Sequence, residues 1–385
     1  MRFNEKLCMI YLVVALAIRP VYKYCEHMFD FPRINFTLIF VFLFLLLICI
    51  NIYFFKTSII EKYPISFLLL LLVSLIQIIS FPWAVDYSSN GNHIYLTTIS
   101  RTIIQYWLFW FVGIHIVKIF DNRLFWKIIY CLWFLTSLII ILNALSNIIF
   151  ALILEGKNIY IMLGDSFAAL SILVLCKTKK IKFQTFIIFI SSVCLFALWS
   201  RASLYSFVII SLYLLYKKSK YLFLLFITIA ISFIIYFVQE DIRTYRMTRI
   251  LFGSDDLSSS MREDQLEIGL QDLSETWILG RFMGDVDKNF GLEGDYIHNY
   301  LSFWRQFGIV SFTIFCYVNL SNFIKLYSFI RNKKGRLNEI ESFLFYFTLF
   351  CLIQIIVARS FVSSYVWLSM GAIPAYLHSF ERRRS

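Results

Sequence analysis

Charge is what this sequence is short of. Only 16% of its 385 residues are Asp, Glu, Lys or Arg, against 60% hydrophobic, which excludes a soluble domain with a large charged surface to keep wet. Backbone breakers are scarce as well. With 13 glycines and 5 prolines the chain has no Gly-rich phosphate loop, and no internal repeat, low-complexity tract or heptad run is present. The 8 cysteines include no Cys-x-x-Cys pair. Seven of them (Cys8, Cys49, Cys131, Cys176, Cys194, Cys316, Cys351) lie in or beside apolar runs, a usage that fits apolar packing rather than a disulfide framework or a zinc site. Histidine occurs 5 times, and no group of His, Cys, Asp and Glu has metal-ligand spacing. Neither a metal nor any other cofactor is expected.

What the chain has instead is long apolar runs. Stretches such as "NFTLIFVFLFLLLICINIYFF" and "PISFLLLLLVSLIQIISFPW" match the roughly 20 apolar residues a helix needs to cross a bilayer, whereas a closed barrel shows short alternating segments. The expected fold is all-α, a polytopic membrane bundle of about 12 transmembrane helices with one large loop containing short helices. The runs fall near 7–18, 35–55, 64–82, 98–119, 128–154, 159–176, 183–199, 203–216, 221–238, 299–320, 340–358 and 361–379. The first, "LCMIYLVVALAIRP", follows a basic start as a signal peptide would, but no A-x-A-like site follows it, so a retained helix is expected.

The net charge of +12 sorts by side of the membrane and does not point to nucleic acid. Twelve crossings place both termini on one side, and "KTKKIK", "KKSK", "RNKKGR" and the terminal "ERRRS" all fall there. By the positive-inside rule that side is the cytoplasm. The expected organisation is nine helices over 1–238, an outer loop over 239–299, and three helices with a basic tail over 300–385. The loop holds 13 acidic and 6 basic residues, and as the one long outer connection it is where function is sought. Within it, "SMREDQLEIGLQDLSETW" opens with Ser260-x-x-Glu263, a capping-box pattern. It continues with Leu266, Leu270, Leu273 and Trp277 at helical spacing, predicting an amphipathic helix with those four on its packed face. Arg262 extends that stripe backward, and a snorkelling arginine at a first turn is the plain alternative.

Arginines at apolar spans are costly and usually face a protein interior or a water-filled cavity with an anionic partner. Arg101, Arg201, Arg305 and Arg359 qualify on the outer side. Arg201 sits in the tight turn "LWSRASLY", with no carboxylate nearby in sequence. Its planar fork suits phosphate oxygens, and Arg281 adds to the same positive side. The alternatives are interfacial snorkelling and pairing with the acidic loop. In "GDYIHNYLSFWRQFG", a helix starting near 298 would put His298, Ser302 and Arg305 on one face, with its N-terminus favourable to an anion. A neutral His298 there would accept a proton from a hydroxyl. An interfacial histidine without a role is the alternative, and it is the reading favoured for His27, His93, His115 and His378.

In the order of these features the chain resembles the O-antigen ligase and polymerase superfamily of bacterial inner-membrane enzymes. The resemblance rests on "GDSFA" (164–168) opening a middle span, "SRAS" (200–203) in an outer turn, a long outer loop with an arginine helix and "WILG" (277–280), then "HNYLSFWRQFG". It covers mainly residues 160–310. The chain departs from the family in having Ala202 after the turn arginine, and in spreading Gly280 and Gly284 where a Gly-x-Gly is frequent. The resemblance implies a metal-independent, inverting glycosyl transfer at the periplasmic face, from a glycan carried on undecaprenyl diphosphate. Position by position it implies that His298 activates the acceptor hydroxyl and that Arg201 and Arg262 hold the diphosphate. Arg305, Arg101 and Arg359 join the diphosphate-binding set by charge and spacing alone. The expected partners are the lipid-linked oligosaccharide and membrane lipids, with a chain-length regulator protein as a candidate. The acceptor separates two versions, a polymerase adding to another lipid-linked repeat unit and a ligase adding to lipid A core. A transporter for the same lipid is the competing class, though repeats and midplane helix breaks are missing.

Overall fold

The structure, a computed structural model, describes residues 2–29, 31–54, 63–80, 94–145, 159–239, 257–284, 297, 299–333, 337–357 and 364–381. Among these residues every regular element is helical. The chain opens with α1 (Phe3–Val13), a π-helical turn (Val14–Ile18) and α2 (Arg19–Phe29). Then come α3 (Phe36–Phe54), α4 (Pro64–Ile79), α5 (Ile94–Phe120), α6 (Arg123–Leu145) and α7 (Ile159–Lys177). They are followed by α8 (Ile181–Ala197), α9 (Arg201–Lys218), α10 (Lys220–Gln239) and α11 (Leu257–Thr276). The last three are α12 (Leu301–Asn332), α13 (Glu339–Val357) and α14 (Tyr365–Glu381).

The described parts of the apolar runs lie on helices. Among the described residues six helical stretches are long and apolar enough to cross a membrane, namely Phe3–Glu26, Ile99–Phe120, Arg123–Ala144, Tyr160–Lys177, Leu301–Asn332 and Glu339–Val357. Shorter apolar helices cover Phe36–Cys49, Ile65–Ile79, Ile181–Ala197 and Lys220–Ile229. The chain is a helical membrane protein. Its first helix corrects the expected end at 18, because it runs on through the π turn to Phe29. Pro20 lacks an N–H and its ring crowds the carbonyl four residues earlier, and a widened turn at 14–18 absorbs that conflict without ending the helix.

Packing divides the chain into two compact units that do not follow its linear order. The first joins 1–14, 33–126 and 265–385, and the second joins 15–32 and 127–264. In the first unit α5 and α14 cross with their backbones in direct approach. A Cβ on Gly113 would meet Ala372 N at 2.8 Å, and one on Gly371 would be driven into the Trp110 carbonyl. Small residues at a crossing are how membrane helices gain van der Waals contact where apolar burial gives little drive. Tyr106 stacks on Trp367 at 5.0 Å beside this crossing. The Trp110 and Trp107 indoles donate to Ser66 (3.3 Å) and Ser74 (3.0 Å), and the Gln77 amide to Thr102 (3.0 Å), tying α4 to α5.

Among the buried carboxylates of this unit, Glu5 and Glu341 are each satisfied inside the fold, as a charge away from water requires. Glu5 accepts from Lys118 Nζ (2.7 Å) and the Arg2 N–H (2.8 Å). Glu341 accepts from Lys333 Nζ (2.6 Å), Tyr376 (2.6 Å) and the Asn338 N–H (2.8 Å), while Asn338 Oδ1 accepts the Glu341 N–H at 2.8 Å. The Asn338/Glu341 exchange is a reciprocal capping box that starts α13.

In the second unit a single indole serves three helices. Trp133 Nε1 on α6 donates to Ser171 (3.1 Å) on α7 and Ser191 (3.2 Å) on α8, and Ser191 donates to Ser171 at 2.9 Å. At the basic ends of these helices Gln184 donates to the Leu175 and Thr178 carbonyls, and accepts from Lys218.

The α5/α14 crossing sets a prediction for the fold. Gly371→Val forces the two backbones apart and is expected to cost about 3 kcal/mol or more, beyond ordinary overpacking. In detergent it should unfold at clearly lower temperature than Gly335→Val, a substitution in the basic stretch between α12 and α13.

Candidate functional site

The helix α11 begins at Leu257, so Ser260 lies inside its first turn and the expected cap at Ser260 is not the start. In the run "LSSS" a serine tolerates a first helical turn nearly as well as a cap, so the local pattern is degenerate. The packed face also differs from the expected stripe. Leu273 is buried, but Leu270 and Trp277 are about half exposed, and the residues turned inward with Leu273 are Gly269 and Asp272. Asp264 and Glu267 are exposed as expected.

The reason for this rotation is an ion pair. Arg305 Nη2 on α12 donates to Asp272 Oδ2, with both side chains almost wholly buried. Gly269, one turn earlier, lies against Ile297, where a side chain would have no room. With Arg305 buried on α12, leaving it without a counter-charge would cost several kcal/mol, and Asp272 turned inward removes that penalty.

Just beyond the ion pair the loop enters α12 itself. In a regular helix the Ile309 N–H donates to the Arg305 carbonyl four residues back. Here Gly308 has φ 74° and ψ 171°, breaking the helix, and the two separated groups turn to the loop. The Ile309 N–H donates to the Trp277 carbonyl (2.9 Å), and the Arg281 N–H donates to the Arg305 carbonyl (2.9 Å). The Trp304 indole adds a bond to the Trp277 carbonyl (2.9 Å), and Gln306 Oε1 accepts the Met283 N–H. Gly280 faces Gly308 with φ 69°, and a Cβ on either would run into the other strand's backbone. Glycine is thus required twice, for the left-handed backbone and for the approach. Phe282 stacks on Phe307 at 5.3 Å and closes the clasp.

The structure therefore places the expected site residues unevenly. Arg305 is held by Asp272, so its charge is answered inside the fold. Helical backbone begins at Leu301, so the expected face of His298, Ser302 and Arg305 lacks a helical first interval; Ser302 is wholly buried. His298 and Arg359 lie outside the described residues, as do His93 and the side chains of Arg262 and His27. The neighbours of His298 are placed: Ile297 is buried, and Asn299 Oδ1 accepts the Leu301 N–H at 2.9 Å at the start of α12. Arg101 is half-buried on α5, in the first unit with Arg305.

Arg201, in the second unit, is 9% exposed and is the first residue of α9. The turn before it is tight, with Trp199 at φ 56°. Ser200 stands at the N-cap without capping by its side chain; its hydroxyl instead shares a hydrogen bond with Ser203 at 2.7 Å. Ser203 donates in turn to Asp165 of the "GDSFA" stretch. A carboxylate thus reaches the first turn of α9, which proximity in sequence did not reveal. A buried guanidinium, a helix N-terminus, two linked hydroxyls and the Asp165 carboxylate thus meet in one polar corner.

No protein-family model matches this chain, and no curated protein matches it.

The clasp yields two measurements. Arg305→Met leaves Asp272 buried without its partner and is expected to cost about 3 to 5 kcal/mol, while the double variant with Asp272→Leu regains a large part; thermal unfolding of the four-member cycle in detergent reads the coupling. Gly308→Ala alone should destabilise more than Gly269→Ser, since it strains backbone as well as space, and the same unfolding assay ranks them.

Proposed function

We propose that this chain is an O-antigen polymerase, a glycosyltransferase of the bacterial inner membrane that joins oligosaccharide repeat units carried on undecaprenyl diphosphate. In this reading twelve helices cross the membrane, both termini are cytoplasmic, and residues 239–299 form the periplasmic loop. The observation that carries the reading is Arg201, a buried arginine heading a helix at the outer end of an apolar span, set beside the resemblance of "SRAS", "WILG" and "HNYLSFWRQFG" in that order.

The proposed reaction needs two kinds of group. An acceptor hydroxyl attacks the anomeric carbon of the donor sugar, the bond from that carbon to the diphosphate oxygen breaks, and the configuration inverts. His298 takes the hydroxyl proton. The departing undecaprenyl diphosphate gathers negative charge, which Arg201 and Arg262 stabilise as fixed donors. Arg101 and Arg359 are the further arginines that this reading assigns to the diphosphate. Arg305, already bound to Asp272, acts by position: it fixes α11 to the start of α12, and so holds the Ile297–Asn299 segment that carries His298. The ligase reading differs only in the acceptor, lipid A core in place of a second repeat unit.

Replacement of His298 by Ala should abolish the long-chain lipopolysaccharide ladder at unchanged protein level; a normal ladder would refute the catalytic assignment. Deletion of the gene should leave one repeat unit attached to core, whereas bare core with accumulated lipid-linked polymer would show the ligase instead. Arg201→Lys keeps a point charge but loses the bidentate fork, and transfer is expected to fall on the order of 10²-fold in an assay with purified lipid-linked donor.

A further inference from the structure

The turn that follows α11 carries its apolar side chains outward. Trp277 and Ile278 are each half exposed, and Leu279, at 75%, is the most exposed large apolar side chain among the described residues. Three consecutive apolar side chains facing water on an otherwise acidic loop are unfavourable and mark a contact surface.

The height of this turn is set by α12. The Trp277 carbonyl accepts from the Ile309 N–H and from the Trp304 indole, so the turn sits level with the first residue after the break. From Ile309 to Ile330 the helix runs roughly 22 residues at about 1.5 Å each, about 33 Å, close to the ~30 Å of a bilayer's hydrocarbon. That stretch ends at Arg331 and Lys333, and its single charge, Lys325, is exposed near the same basic end, where its stem reaches the surface. Val310, Tyr317, Leu320 and Ile324 recur at helical spacing, all more than half exposed, as a lipid-facing stripe does. The stripe begins where the turn lies. Trp277 and Trp304 sit together at that level, as indoles do at a membrane interface.

We propose that Trp277–Leu279 is a bilayer anchor whose side chains are seated among lipid acyl chains at the headgroup boundary. The occupant is lipid because the exposed turn is continuous in level with the lipid-facing stripe of the helix to which it is hydrogen-bonded. The anchor fixes the height of the clasp, and with it the Asp272–Arg305 pair and the Ile297–Asn299 segment, at the membrane surface. The proposal rests on α12 crossing the membrane and stands apart from the glycosyl transfer, so the two fail separately.

The test places an environment-sensitive fluorescent amino acid at position 279, or at exposed Glu267 of α11, in the otherwise unchanged full chain. The purified protein is reconstituted in phosphatidylcholine/phosphatidylglycerol vesicles, with and without acyl-brominated lipid. Bromolipid should quench position 279 several-fold more than position 267, and aqueous iodide should show the reverse order. Equal quenching of both positions by iodide would place the turn in water and overturn the proposal. Protection of position 279 from both quenchers would mean that protein, such as a second copy of the chain, covers it, and would overturn it equally.

Discussion

One hydrogen bond that α12 does not make organises the junction between α11 and α12. At Gly308 the bond between the Ile309 N–H and the Arg305 carbonyl is opened, and the loop supplies both replacements through Trp277 and Arg281. In hydrocarbon or at its edge an unpaired backbone group costs several kcal/mol, so a helix break survives only where something re-satisfies it. The loop is therefore a structural part of α12. Remove its backbone and the break has no partners; remove the break and the loop has nowhere to dock.

The same requirement explains the polar side chains scattered through an apolar chain. Glu5 and Glu341 are each surrounded by donors, and the Trp133–Ser171–Ser191 group closes on itself. Each ties separate helices together, and Glu5 joins α1 to α5 across 113 positions. Where lipid and protein interior are equally apolar, such bonds and close glycine crossings supply the specificity that burial alone supplies in water. The Asp272–Arg305 pair applies this rule to the loop, and it turned α11 so that an acidic residue faces in while Leu270 faces out.

Much of the architecture was legible in the residues. Among the described residues the apolar runs are helical because run length and apolarity are local properties, and six stretches reach the length and apolarity that a bilayer crossing needs. Boundaries and faces were less legible. The serine run before Met261 permits several starts for α11, and a stripe of leucines in a helix of low apolar content is a weak guide to which side packs. Arg305 shows the limit most clearly. Its cost in an apolar helix was evident, but its partner lies 33 positions away on a different helix, and no spacing rule reaches that far. The same holds for Asp165 and Ser203, 38 positions apart. Gly280 and Gly308 were visible as glycines within recognised stretches, yet their mutual need arises only from two backbones meeting.

By itself the sequence determined the class of the protein, the helical content and the placement of basic residues at the ends of helices. These follow from hydropathy and charge, which act residue by residue. Tertiary structure decided that Arg305 is answered by Asp272, where α12 breaks, which face of α11 is inward, and where along α12 the Trp277–Leu279 turn docks. Those depend on pairings between distant segments, whose free energy exists only once the chain has brought them together.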